Sequence, residues 1–215
     1  MRDFPIFTTE YGVASLFLKE IPYKNEAYIR IRDVQSGFLK EHLAECVSFC
    51  RMAGAERVYA ADHPQLSDWP YAFSLYKMQG KAWVDPEKLE NLFPVTEPTV
   101  GQWRQICNEK MRPIACTATQ TSRDEKEILS GGAYFIHHNG ELLGIGWVKD
   151  PELLTVAAVK PGAGELVMHT LMSLMEGADM TLEVASTNER AIRLYEKLGF
   201  VKTAELTRWH DVTRL

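Results

Sequence analysis

Two stretches of the chain carry residue types that could do chemistry. The first is "LLTVAAVKPGAGELVMHTL", residues 153–171, read as a buried strand, a glycine turn and a helix. A glycine turn feeding a helix N-terminus is a ready anion site, because free backbone N–H groups and the helix dipole both favour negative charge. Gly162 and Gly164 let the main chain approach an anion closely, and Lys160 adds a cation. The second stretch is "STNERAIRLYEKLGF", residues 186–200. Ser186 and Glu189 have the spacing of a capping box, and Gly199 stands where a left-handed residue closes a helix. Ala191, Leu194, Tyr195 and Leu198 form an inward stripe, with Arg190, Arg193, Glu196 and Lys197 outward. Taken alone, that helix is also what a purely structural amphipathic helix looks like. Between the two stretches, Glu183 places a carboxylate on a strand.

Other chemistries are poorly served. Cys46 and Cys50 stand four apart in an apolar helical pattern, and Cys107 and Cys116 are isolated; there is no Cys-x-x-Cys pair, and His137-His138 has no companion at ligand spacing. Reduced, mostly buried thiols and no metal are expected. The formal net charge of −5 argues against nucleic acid as partner, since such binding rests on neutralising phosphates. No long apolar h-region opens the chain and no run approaches eighteen apolar residues, so a cytoplasmic protein without membrane contact is expected.

The elements that must position these residues follow from periodicity. In the first half, strands are expected over about 12–19 and 27–33, a helix over about 37–53, a short strand at "RVYAAD" and a helix at "WPYAFSLYKMQG" ending in Gly80. The proline- and acid-rich "VDPEKLENLFPVTEP" marks a domain boundary, dividing the chain into 1–93 and 94–215. Beyond it come helices near 100–110 and 123–129, then two strands joined at Asn139-Gly140, a strong hairpin signal. Residues 153–159 read as an almost wholly apolar strand, fit for a sheet covered on both faces. Helix 162–176, strand 180–185, helix 186–198 and a last strand over 204–212 complete a mixed α/β architecture.

Loop, helix and element order together resemble the GNAT superfamily of acyl-CoA N-acyltransferases. The matching residues are "VAAVKPGAGELV" and Asn188, Ala191, Leu194, Tyr195, Gly199 and Phe200 of "NERAIRLYEKLGF", and the resemblance covers about residue 94 to the C-terminus. It implies a mixed, splayed central sheet flanked by helices, opening between strands 153–159 and 180–185 to take the pantetheine arm of acetyl-CoA. Val156, Ala157, Ala158 and Val159 would pair with pantetheine as an added strand does, and Lys160, Gly162, Ala163, Gly164 and Glu165 would hold the pyrophosphate. Asn188 and Tyr195 would approach from the helix, with Tyr195 protonating the departing thiolate. The acceptor would be a small-molecule or peptide amine. The family's loop reads Arg/Gln-x-x-Gly-x-Gly/Ala; here Val159 holds the first place, and Pro161 runs directly into Gly162. Strand 153–159 has no carboxylate for a base after Glu152, which leaves Glu183 as the candidate, with Glu152 and Glu141 as further options. His137 and His138 are expected at the surface.

The chain also repeats itself. "AFSLYKMQG" (72–80) aligns without a gap on "AIRLYEKLG" (191–199), "RDVQSG" parallels "AAVKPG" and "VYAAD" parallels "LEVAS". This reads as two tandem GNAT-like halves, the first with worn site features: Tyr76 matches Tyr195, but Trp69 stands at the place of Asn188. Rival readings are a non-catalytic CoA-binding or scaffold module, favoured by the short loop, and aminoacyl transfer from charged tRNA, disfavoured by the net charge.

Overall fold

The computed structural model describes residues 5–215 and divides them into two compact units, residues 5–74 with 206–215 and residues 75–205. This differs from the division at 93/94: both β5 and β11 below are shared out between the units. Met1–Phe4, the start of the segment read as lacking an export signal, lie outside the described residues.

The first unit runs β1 (Ile6–Thr8), β2 (Gly12–Phe17), the single-turn α1 (Ile21–Lys24), β3 (Glu26–Val34), α2 (Leu39–Met52), β4 (Arg57–Ala61) and the start of β5 (Tyr71–Lys81). β1, β2 and β3 form an antiparallel meander. α2 then crosses over so that β4 lies parallel to β3, paired along its whole length from Glu26↔Arg57 to Arg30↔Ala61. The expected spacing of α2 holds: Leu39, Leu43, Cys46, Val47 and Cys50 are buried against Ile29, Ile31, Val58 and Ala60. Burial pushes the Cys46 and Cys50 thiols up to about 12 and about 11, so neither is a thiolate at neutral pH.

The second unit continues β5 and adds β6 (Asn91–Pro94), α3 (Val100–Met111), the single-turn α4 (Glu125–Ile128), β7 (Ala133–His138), β8 (Glu141–Lys149), β9 (Glu152–Ala158), α5 (Gly164–Met172), β10 (Asp179–Ala185), α6 (Glu189–Lys197) and most of the first half of β11 (Val201–Asp211). Its strands lie in the order β11-β5-β10-β9-β8-β7-β6. Asn139 and Gly140 both have positive φ, as the tight β7–β8 turn requires. Trp103, Cys107 and Ile128 from α3 and α4 pack on one face with Phe135, Ile145 and Trp147. On the other, Val167, Met168 and Leu171 of α5 meet Met180, Leu182 and Val184 of β10.

Two expectations are corrected. "WPYAFSLYKMQG" is not a helix: β5 pairs antiparallel with β10 over seven residue pairs, Lys81↔Asp179 to Leu75↔Ala185. Its aromatic residues suit a pleated surface, and a ladder outweighs weak helical spacing. Gly80 is no helix stop but a close approach, where a Cβ would fall 2.8 Å from the Phe200 ring. Tyr76 therefore lies on a strand, with the Lys202 ammonium 4.0 Å from its ring centre, and is not the structural counterpart of a helical Tyr195. Next, α6 starts at Glu189 with Asn188 as its cap, so the Ser186–Glu189 capping box does not form. The expectation that β9 is covered on both faces holds beyond its first residues: Leu153 belongs to the α5-side core and Ala157 to the α3-side core, while Glu152 and Leu154 are exposed. The β6 edge strand and β1 were not foreseen.

Candidate active site

The site begins with a place where the sheet stops pairing. β9 and β10 are parallel but share only two residue pairs, Thr181↔Glu152 and Leu182↔Leu153. Beyond them β9 follows β8, up to Gly144↔Ala158, and β10 follows β5, up to Ala185↔Leu75. A bulge supplies the cause. Trp147 faces Thr155 and Val148 faces Leu153, so Leu154 is an extra residue in β9, inserted where pairing with β10 ends. A bulge bends and twists its strand. Val159 N–H is bonded to Leu143 O at 2.8 Å on the β8 side. By the two-residue alternation of a strand, the N–H and C=O of Val156 and Ala158 face the opening, and those of Ala157 and Val159 face β8. Of the four residues expected to pair with pantetheine, two therefore offer backbone groups.

α5 sets the end of the opening. Gly144 and Gly146 on β8 carry no side chain where Val167 and Leu171 descend: a Cβ at Gly144 would sit 2.6 Å from Ala157 O and 2.7 Å from Val167, and one at Gly146 would sit 2.3 Å from Leu171. This draws α5 onto the sheet and fixes the loop that precedes it. In that loop Gly162 adopts φ +86°, Ala163 is buried and bonds back to Lys160 O at 3.2 Å, and Pro161 has no N–H. The Lys160 N–H is spent on Leu143 O at 3.1 Å. The N–H groups of Gly162, Gly164 and Glu165 find no acceptor among the described residues, and they converge on the N-terminus of α5.

Side-chain cations surround this loop. Lys160 is ion-paired with Glu141, and Lys110 Nζ donates to Val159 O at 3.3 Å. Glu165 sits between Lys88 Nζ at 2.7 Å and Lys197 Nζ, and these two ammonium groups hold its carboxyl down at about 2. Glu165 is thus committed to lysines, and its contribution to an anion site is its backbone N–H. Lys88, Lys110 and Lys197 were not foreseen as part of the site. Lys197 was read as outward-facing, and Lys88 lies in the acidic, proline-rich segment; pairing across 77 residues leaves no local trace.

From the other side, the Asn188 side chain accepts from Ala191 N–H at 3.3 Å and starts α6. Gly199 at φ +88° closes the helix, and Phe200 N–H bonds to Tyr195 O at 2.9 Å. Tyr195 is thereby fixed among Leu182, Val184 and Phe200 in the α5-side core, and burial pushes its phenol above the ordinary value. Glu183 is exposed and lies opposite Lys77 in the ladder. Since Leu182 and Val184 face Tyr195's core, alternation turns Glu183 to the other face. The structure does not bring these two candidates to one face. Of the further carboxylates, Glu141 is tied to Lys160 and Glu152 is exposed at the start of β9. His138 is exposed and bonded to Glu90 at 2.8 Å; half-buried His137 packs edge-on against Phe93. No helix among the described residues is long and apolar enough to cross a membrane.

No family model and no curated protein matches the sequence. Solved structures do match. A GNAT-family acetyltransferase from Colwellia psychrerythraea superposes with a TM-score of 0.52 at 12% identity, covering 96% of this chain and 84% of that one. A protein described as a putative acetyltransferase from Pyrococcus horikoshii gives 0.56 at 15% identity over 93% and 68%. An N-acetyltransferase from Sphaerobacter thermophilus gives 0.53 at 11% over 93% and 75%. A parted pair of parallel strands, a glycine loop at a helix N-terminus and these likenesses agree: the chain has the fold of the GNAT superfamily of acyl-CoA N-acyltransferases.

Proposed function

We propose that the chain is an acetyl-CoA-dependent N-acetyltransferase whose site is the opening between β9 and β10, with a primary amine as acceptor. The observation that carries this reading is the parting of two parallel strands after two residue pairs, beside a loop with unpaired N–H groups. The Val156 and Ala158 main chain pairs with the pantetheine arm as an added strand does. Gly162, Gly164 and Glu165 N–H take the pyrophosphate, with Lys88, Lys110, Lys160 and Lys197 around it. An N–H facing the opening, from Val156 or Ala158, donates to the thioester oxygen as negative charge develops there. The amine nitrogen bonds to the acyl carbon, the carbon–sulfur bond breaks, and Tyr195 passes its proton to the leaving thiolate. The nitrogen's surplus proton leaves through Glu183 or water, and the phenolate recovers its proton from solvent.

The second reading is a non-catalytic CoA-binding module. It is favoured by the burial of Tyr195 and by Glu183 facing away from it. One pair of measurements separates the two. Acetyl-CoA at about a hundred times its dissociation constant stabilises the fold by about 2.7 kcal/mol, read as a rise in Tm. Thiol release is then followed across a panel of primary amines. A rise in Tm with amine-dependent thiol release supports the enzyme; a rise without release for any amine supports the module; no rise removes both.

A further inference from the structure

His169 lies in the middle of α5, wholly buried, and neither ring nitrogen has a hydrogen-bond partner among the described residues. A neutral imidazole carries one donor and one acceptor, and buried polar groups are almost always paired, so this ring stands out. What lies over it is the segment of residues 83–90. Trp83 meets the His169 ring edge-on at 4.9 Å and donates from Nε1 to Leu198 O at 3.3 Å. Lys88 reaches Glu165, one helical turn before His169, and Glu90 N–H donates to Thr170 Oγ1 at 3.1 Å. The segment is tied at its start by Ala82, which exchanges hydrogen bonds with Gly177 and Ala178, and at its end by β6. Between those ties it is a strap across the outer face of α5.

We infer that His169 is a proton-operated release for this strap: protonation of the buried ring frees residues 83–90 from α5. The imidazolium has two donors and no acceptor where it lies. The charged groups facing it are Lys88 and Asp85 from the strap, Glu165 from its own helix and Lys197 from the end of α6. Both lysines oppose a further positive charge. Glu165 is already shared between them, and Asp85 lies 3.5 Å from Lys88. Burial and these lysines hold the ring below its ordinary value. α5 cannot yield, because Val167 and Leu171 are seated on Gly144 and Gly146. The strap is the part that moves. The sign follows: the closed state binds the proton less well than the open state, so closure is complete above the ordinary histidine value of about 6.5 and weakens below it, by up to about tenfold per pH unit. Glu165, held at about 2, stays ionised throughout this window.

The inference is independent of the acyltransferase reading, and its test uses no ligand. Amide hydrogen exchange is measured on the full chain between pH 7.5 and 5.0 and corrected for the intrinsic pH dependence of exchange. The expected result is loss of protection at 83–90 below pH 6.5, with amides of α5 and β8 unchanged, and a flat profile in His169→Gln and His169→Phe. A flat wild-type profile overturns the inference, as does the same fall in wild type and variants. Should both variants fail to fold, the imidazole titration of wild-type His169 by NMR decides: a midpoint that coincides with the loss of strap protection supports the release, and one that does not overturns it.

Discussion

The proposed reaction asks Tyr195 to act as an acid from inside a core, and burial there makes its protonation state easy to predict. Burial raises its proton affinity above the ordinary phenol value of 10.0, so it remains protonated throughout the neutral range. A group that must be protonated and whose value is raised loses activity only above that ordinary value. The pH profile of kcat should therefore show no basic limb from Tyr195 below pH 10. Tyr195→Phe keeps the ring packed against Phe200 but removes the proton, and should lower kcat by about a hundredfold while leaving the KM for acetyl-CoA near the wild-type value. Unchanged kcat in that variant would remove the phenol from the mechanism. Part of the candidate site's frame was legible in advance, because it is local in sequence: Gly162 and Gly164 announce a turn, Gly199 the end of a helix and Tyr195 its inward stripe. The cap was not, since Asn188 stands where Ser186 was expected. Lys88, Lys110 and Lys197 were not, since each joins the loop from a distant element. The face on which Glu183 lies follows from a strand register that composition does not encode.

The opening belongs to the elements rather than to any side chain. It exists because Leu154 is one residue too many in β9, and because Gly144 and Gly146 let α5 sit directly on β8. Two predictions follow at this level. Ala158→Pro removes an N–H that faces the opening and should weaken acetyl-CoA by about tenfold, the value of about one hydrogen bond, with little loss of stability. Ala157→Pro removes an N–H bonded into the β8 ladder and should unfold or strongly destabilise the unit. Calorimetry and urea melts on the pair check this, and equal effects would refute the register. The second prediction concerns the glycines. Gly144→Ala meets the fixed Ala157 carbonyl and should cost about 1–3 kcal/mol, more than Gly146→Ala, which meets the Leu171 side chain and no backbone atom among its nearest neighbours. Most elements were readable from periodicity and turn residues, and the Asn139-Gly140 hairpin formed as expected. β5 was misread because the spacing of Ala72, Leu75, Tyr76 and Gly80 matches that of a helix. Its partner, β10, lies a hundred residues away, and only the ladder between them decides against that helix.

At the scale of the molecule, the two units can be compared by what each does with a parallel pair of strands. Both contain two parallel strands joined by a helical crossover, β3-α2-β4 and β9-α5-β10. In the first unit the parallel pair is closed: five consecutive residue pairs, Glu26↔Arg57 to Arg30↔Ala61, take the main-chain groups that an inserted arm would need. In the second the same pair parts after two. The leading turns differ in the same direction, since α2 begins at Leu39 behind Phe38, without a Gly-x-Gly before it. A ligand that binds by adding itself as a strand can enter only where a ladder is unfilled. One molecule of acetyl-CoA per chain is therefore expected by isothermal titration calorimetry. Ala158→Pro should weaken that single event, and Tyr76→Phe should leave both stoichiometry and affinity unchanged. A stoichiometry of two, with one event untouched by Ala158→Pro, would mean that β3 and β4 separate in solution and that the first unit has a site of its own.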